Sequence, residues 1–191
     1  MGRKRAIREP GELRGGAKLR AALAEFAVPV EGRVALDAGA AAGGFTAVLL
    51  DAGAARVYAV DAGYGQLLGS LRQNPRVVNL ERTNLGALTP ELVPDPVELV
   101  TMDLSYLSVA DAVPQLERVT LAPEADLVAL VKPQFELHLA TPPTDSESLV
   151  EALRLAERGI AAAGWTLVAS IESPVRGTRG STEFFVHAGR G

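Results

Sequence analysis

Hydrophobic and polar positions along the chain switch between two periods. From 17 to 27, Leu19, Ala22, Leu23 and Phe26 recur at the spacing of one helix face, and Pro29 with Gly32 ends the element. Short, mostly apolar runs follow at 33–37, 56–61, 76–81, 97–103 and 126–131, each of strand length. Between them, 45–50 reads as a helix stopped at Gly53, 66–71 as a short helix ending before Pro75, and 109–119 as a helix leading to the fifth run. The stretch 141–148 is turn-rich, and Ser146 is expected to cap a helix reaching 163, where Gly164 stops it. Two final runs, 165–171 and 183–187, are joined by the Gly- and Arg-containing loop 172–182, with no helix between them.

Strands alternating with helices predict an α/β fold with a doubly wound, mostly parallel sheet. Seven runs give seven strands, and the helix-free link between the last two predicts an antiparallel return, which a plain dinucleotide-binding fold lacks. One domain is expected over 17–191. Residues 1–16 are polar and glycine-containing and read as a basic arm able to fold over a ligand.

Composition narrows the class. A hydrophobic share of 48% is ample for a core, yet no run approaches the roughly 18 apolar residues of a membrane span. The basic start lacks an apolar segment behind it, so no secretory signal is expected. With no cysteine there are no disulfides and no thiolate chemistry. His138 and His187, lacking carboxylate or cysteine neighbours at ligand spacing, are read as non-ligands. A cytoplasmic, metal-independent protein follows as the expectation. The net charge of −4 hides an asymmetry: residues 1–20 carry seven basic side chains against Glu9 and Glu12, and the rest is acidic. A basic arm on an acidic body suits contact with phosphate, or is simply a solvated tail.

The chemistry centres on 34–45, a strand running through Asp37 into the turn of Gly39, Gly43 and Gly44 and then the helix opened by Phe45. The glycines permit a sharp turn and close approach of backbone to a ligand. Their spacing is neither the dinucleotide pattern nor a phosphate loop, because no Gly-Lys-Ser/Thr follows. Asp61 closes the second strand where a ribose-binding carboxylate belongs. A nucleoside-bearing cofactor without pyrophosphate fits both features, and S-adenosylmethionine is such a cofactor. Asp37, Asp61, Glu81, Asp103 and Lys132 all fall at the carboxyl ends of strands, where such sheets bind ligands. Any one of them is as readily a solvated charge; five together weaken that reading. Lys132 ends a strongly apolar strand, so acid–base use and a structural salt bridge to a residue such as Asp103 both stay open. Trp165, Phe184 and Phe185 read as core, and Tyr106 as open to either role.

Several blocks then carry a resemblance. Arg14-Gly-Gly-Ala-Lys18, Asp37 to Phe45, Val60-Asp61 to Leu67, Glu81-Arg-Thr-Asn84, Met102-Asp103 to Ser108, Val131-Lys132 to Glu136, Ser173 to Gly177 and Thr182-Glu183 to Phe185 occur in an order that resembles the FtsJ-like ribose 2′-O-methyltransferases, within them the TlyA (hemolysin A) rRNA methyltransferase group. The resemblance implies a Rossmann-like S-adenosylmethionine-dependent fold and a Lys-Asp-Lys-Glu tetrad at Lys18, Asp103, Lys132 and Glu183. Lys132 would take the hydroxyl proton, with Lys18 and Glu183 orienting it and Asp103 between cofactor and lysines. The Asp37, Gly39, Gly43, Gly44 and Phe45 turn would hold the methionine part of the cofactor, Asp61 its ribose, and Arg82 to Asn84 its adenine edge.

Two departures touch substrate recognition. Members of the group carry an N-terminal RNA-binding domain for which this chain has no room, and the glycine- and lysine-bearing loop that usually follows Lys-Pro-Gln-Phe-Glu is replaced by 138–146. The expected activity is methyl transfer to RNA, most directly rRNA. The alternatives are methyl transfer to a small-molecule acceptor and a non-catalytic protein that keeps the fold.

Overall fold

A computed structural model describes residues 14–191. Its seven strands are β1 (Val34–Ala38), β2 (Arg56–Asp61), β3 (Val77–Glu81), β4 (Val97–Met102), β5 (Leu121–Val131), β6 (Thr166–Glu172) and β7 (Phe184–Gly189). They stand in the order β3-β2-β1-β4-β5-β7-β6. β7 runs antiparallel to both neighbours, and every other pairing is parallel. The mostly apolar runs of β1, β2 and β4 are buried on both faces, as central parallel strands require.

Helices cover both faces. On one side α1 (Arg14–Phe26), α2 (Gly44–Asp51) and the single turn α3 (Gly69–Arg72) pack a core around Leu19, Phe45, Leu49 and Phe185. On the other, α4 (Val109–Ala112), α5 (Pro133–Glu136) and α6 (Ser146–Ala162) cover the sheet, over a core around Tyr58, Met102, Leu116 and Trp165. α6 buries Ala152, Ala156 and Ile160 at four-residue spacing. It ends as expected at Gly164, whose φ of +83° lets its N–H reach Ala161 O while Trp165 N reaches Ile160 O. The expected core residues Trp165 and Phe185 are 4% and 0% exposed.

The differences from the sequence-based expectation have local causes. α1 begins at Arg14, so Gly15 and Gly16 are helical; the rest of the expected arm lies outside the described residues. Glycine disfavours a helix, but a Cβ on Gly16 would stand 3.2 Å from Gly44 O, so close packing of α1 on α2 decides the matter. Asp145, not Ser146, caps α6: its extended backbone lets Oδ1 accept from Ser148 N at 2.8 Å, and Ser146 is already in the first turn. The expected helix 109–119 tightens after one α turn into a 3-10 segment, Val113–Arg118, because Pro114 has no N–H to donate. α3 is shorter than 66–71 because the amides of Gln66 and Leu67 bond to Glu81 Oε1, at 2.8 and 3.2 Å, instead of opening a helix. β5 starts five residues early, across a register break that the Pro- and Glu-containing stretch 122–125 conceals from periodicity.

One buried charge joins the elements beneath the glycine turn. Asp37 is 0% exposed and accepts from Thr46 Oγ1 on α2 at 2.6 Å and from Thr101 Oγ1 on β4 at 3.3 Å. Burial pushes its carboxyl from an ordinary 3.8 up to about 7; the Thr46 and Thr101 hydroxyls oppose the rise and the Asp103 carboxylate adds to it. The folded chain thus holds a proton that the unfolded chain has released between pH 4 and 7. Stability from this residue is fully present below pH 4, falls as pH rises through that window, and is lost above 7, by at most about 4 kcal/mol. Asp37→Asn is expected to remove this contribution, so its stability relative to wild type should rise by about 1–3 kcal/mol from pH 4.5 to 8 in urea unfolding. Identical pH dependence in the two proteins would contradict it.

Candidate functional site

The expected residues gather where β1, β2, β3, β4 and β5 end and β7 begins. Asp103 follows β4 directly, and its N–H donates to Ala38 O at 2.9 Å, which places it beside the end of β1. Lys132 follows β5. The antiparallel register pairs Val131 with Phe184, so Glu183, the residue before β7, falls opposite Lys132. Lys18 comes from the side, on the second turn of α1.

Two ion pairs result. Lys18 Nζ lies 2.5 Å from Glu183 Oε2, with side-chain exposures of 8% and 4%. Lys132 Nζ lies 2.6 Å from Asp103 Oδ1 and donates to Ser105 Oγ at 2.9 Å. The first pair is buried; in the second Asp103 keeps 24% of its side chain open, so the carboxylate faces a space a ligand can enter. Gly177 makes room for the first pair, since a Cβ there would come within 2.0 Å of Glu183 Oε1. Gly15, one helical turn before Lys18, sets α1 against the second: its Cβ would stand 4.0 Å from Asp103 Oδ2.

A cavity of about 200 Å³ opens next to Asp103, lined by Gly15, Gly39 to Ala42, Gly44 and Phe45. A larger one, about 650 Å³, is walled by α6 and the segments before β5 and β6, with Trp165 among its lining residues. It holds none of the paired amines and carboxylates, so the smaller cavity is the candidate site. Gly39 makes the sharp turn expected of it, and the three glycines of the turn are also closely packed by the chain itself. A Cβ on Gly39 would collide with Asp103 O at 2.4 Å, one on Gly43 with Leu71 Cδ1 at 2.2 Å, and one on Gly44 would press on Gly16 N at 3.0 Å. They admit other parts of the chain, and φ values of +89° and +95° at Gly39 and Gly43 form the turn itself. Ala40 to Ala42 line the cavity between them. Asp37 touches none of this cavity; sealed beneath the turn, it braces it.

Asp61 sits at the adjoining rim. Its Oδ2 accepts from Ala41 N at 2.8 Å and its Oδ1 from Gly63 N at 2.6 Å. Each oxygen retains a lone pair for a further donor. Arg82, with φ +56°, donates its N–H to Gly63 O at 2.8 Å and holds its guanidinium 3.9 Å from the centre of the exposed Tyr64 ring. Asn84 lies exposed just beyond, so the 82–84 segment borders Asp61. Glu81, by contrast, is a clip. Partial burial pushes its carboxyl up, but donation from the Asn79 amide and the N–H groups of Leu67, Gln66 and Gly65 outweighs this and brings it to about 2. Arg72 completes the clip at 3.0 Å. Tyr106 is 50% exposed, and His187 bonds Asp126 Oδ1 at 2.7 Å, far in the sheet from the cavity. Among the described residues no three His, Cys, Asp or Glu side chains group closely enough to hold a metal ion, and no helix is long and apolar enough to cross a membrane.

Ser105 and Gly177 fall inside the resembling blocks, but no role is legible for either in the sequence. A serine two residues beyond a strand-end carboxylate has no signal of its own, and a loop glycine reveals its purpose only when the carboxylate it admits is in place.

Residues 13–190 match the FtsJ-like methyltransferase family. The chain is 46% identical over 182 residues to the Mycobacterium tuberculosis 16S/23S rRNA (cytidine-2′-O)-methyltransferase TlyA, covering 91% of this chain and 66% of that one. It therefore spans just under two thirds of the length of that relative. A solved Lactococcus lactis structure carrying a hemolysin name superposes with a TM-score of 0.88 at 31% identity, over 94% of this chain and 88% of the other. An S-adenosylmethionine-dependent methyltransferase from Mesorhizobium loti shares the fold at a TM-score of 0.68 and 17% identity, covering 93% of this chain and 100% of that one. The strand order, the antiparallel β7 and a match over nearly the whole length have one reading: the chain belongs to the FtsJ-like methyltransferase family.

Proposed function

We propose that the protein methylates a ribose 2′-hydroxyl of RNA, most directly ribosomal RNA, with S-adenosylmethionine as donor and Lys18, Asp103, Lys132 and Glu183 as the catalytic tetrad. The observation that carries this reading is the second ion pair: an amine within 2.6 Å of a part-open carboxylate that itself lines the cavity under the glycine turn.

The residues present suit the cofactor. Asp103 offers a carboxylate to a sulfonium, Ala40 to Ala42 offer backbone to the methionine part, and the free lone pairs of Asp61 are suited to a ribose diol. The 82–84 segment would meet the adenine edge. Bound there, S-adenosylmethionine supplies a methyl carbon on a sulfonium that leaves as a neutral thioether when the acceptor oxygen forms the new bond.

The chain's own residues supply the base. A hydroxyl in water is too weak an acid to lose its proton unaided at neutral pH, and a neutral lysine amine at transfer distance can accept it. Neither lysine lines the cavity, but Lys132 is paired with Asp103, which does, whereas Lys18 is committed to Glu183 with both side chains buried. The Lys18–Glu183 pair instead fixes α1 against the strand opposite Lys132 and completes the charge balance around it.

Transfer to a small-molecule acceptor is the second reading. It is favoured by the acidic balance of residues 21–191, 12 basic against 21 acidic side chains, which suits a polyanion poorly.

Calorimetry is expected to show binding of S-adenosylmethionine and its demethylated product, and none of NAD. Asp61→Ala should weaken the adenosyl ligands roughly 10- to 100-fold, the worth of one lost charge-assisted hydrogen bond; unchanged affinity would remove Asp61 from the ribose. Lys132→Ala should abolish methyl transfer and leave cofactor affinity within about threefold, since the amine acts on the acceptor. A Lys132→Ala enzyme working at the wild-type rate would dismiss the tetrad, and would point to an acceptor that ionises without help.

A further inference from the structure

We propose that Ser105 is a positioning residue for Lys132, setting the direction in which the amine presents its lone pair. The inference rests on the reading of Lys132 as proton acceptor and extends it to a residue outside the tetrad.

The two polar contacts of the Lys132 amine differ in kind. Asp103 Oδ1 is close, at 2.6 Å, yet lacks an aligned donor, so the carboxylate attracts the amine without directing it. Ser105 Oγ, at 2.9 Å, receives a directional hydrogen bond. A neutral lysine nitrogen has four tetrahedral positions, taken by Cε, two hydrogens and the lone pair. With one hydrogen fixed on Ser105 and the other drawn to Asp103, a single direction is left for the lone pair. Remove the serine oxygen and the amine turns among three staggered orientations with only a near-isotropic pull to choose between them.

A directing group has to be held still, and this one is. The segment that carries Ser105 is tied at its start by Asp103 N to Ala38 O at 2.9 Å. At its far end Val109 N donates to Glu136 Oε1 at 2.6 Å, and Ser108 caps α4 through Asp111 N. Glu136 is 5% exposed and lies on α5, the short helix that starts immediately after Lys132. The same turn of chain thus grips both ends of the segment, through Lys132 on Asp103 and Ser105 and through Glu136 on α4. Ser105 itself is exposed, so changing it disturbs no core.

The test compares Ser105→Ala, Ser105→Thr and Lys132→Ala in the full chain, in methyl transfer from S-adenosylmethionine to 16S and 23S rRNA. Ser105→Ala should lower kcat roughly tenfold through misorientation of the base, with KM for RNA and cofactor affinity within twofold. Ser105→Thr, which keeps the hydroxyl, should return to within twofold of wild type. NMR relaxation of the Lys132 side chain gives a readout independent of turnover: its order should fall in Ser105→Ala and hold in Ser105→Thr. A Ser105→Ala enzyme with full kcat and an equally ordered lysine overturns the proposal, as does a loss that appears in KM or cofactor affinity, or one that threonine does not restore. If Lys132→Ala is inactive while Ser105→Ala is unaffected, only this inference fails; if Lys132→Ala is fully active, the reading of Lys132 as base fails with it.

Discussion

The bond between Lys18 and Glu183 holds the two ends of the chain together, 165 residues apart in sequence and 2.5 Å apart in space. Neither charge can sit in the interior alone. Breaking such a pair by removing one partner typically costs about 3–5 kcal/mol, because the survivor is left desolvated and unpaired. The pair therefore fixes three things together: α1 against the sheet, the entry of β7 between β5 and β6, and the seating of Glu183 across from Lys132. Were β7 parallel, or at the sheet edge, that carboxylate would not reach this end of the molecule.

From that constraint the cavity follows. α1 docks close enough to put Gly15 beside Asp103 and Gly16 against Gly44, and at the second contact a Cβ on either glycine would force a neighbour to shift. The glycine-rich turn is crowded by its own chain at Gly39, Gly43 and Gly44. Its Asp37 is likewise committed inward, to two hydroxyls, and keeps the turn's two strands and helix in one arrangement. What faces the cavity is plain backbone at Ala40 to Ala42, the open side of Asp103 and the rim at Asp61. A rigid frame with few exposed polar groups suits a site that must hold a cofactor still while one oxygen approaches one carbon.

Much of this was legible in the sequence. Each strand coincides with a short, mostly apolar run, so all seven are legible, central or edge, and β2 has the bounds expected of it. The helix-free link before residue 183 predicted the antiparallel return, because chain direction follows from what separates two strands. The site residues at strand ends were legible for the same reason. What stayed hidden depends on contacts between distant segments. Periodicity cannot show that Gln66 and Leu67 give their amides to Glu81 instead of opening a helix, that Pro114 divides a helix in two, or that Asp145 outreaches Ser146 as a cap. Nor can it separate a glycine that admits a ligand from Gly43, which admits Leu71. Ser105 lies in the 102–108 block with no role assigned to it there, and its contact with Lys132 exists only once β4 and β5 lie side by side.

The proposed chemistry at this end of the sheet is movement of a methyl group onto a ribose hydroxyl. The direct measurement is transfer of a radiolabelled methyl from S-adenosylmethionine to total rRNA and, in parallel, to a metabolite extract, followed by digestion of the RNA to nucleosides. The account requires label in 2′-O-methylated nucleosides with the wild-type chain and none with Lys132→Ala. Label on a base, or only in the metabolite fraction, would contradict it.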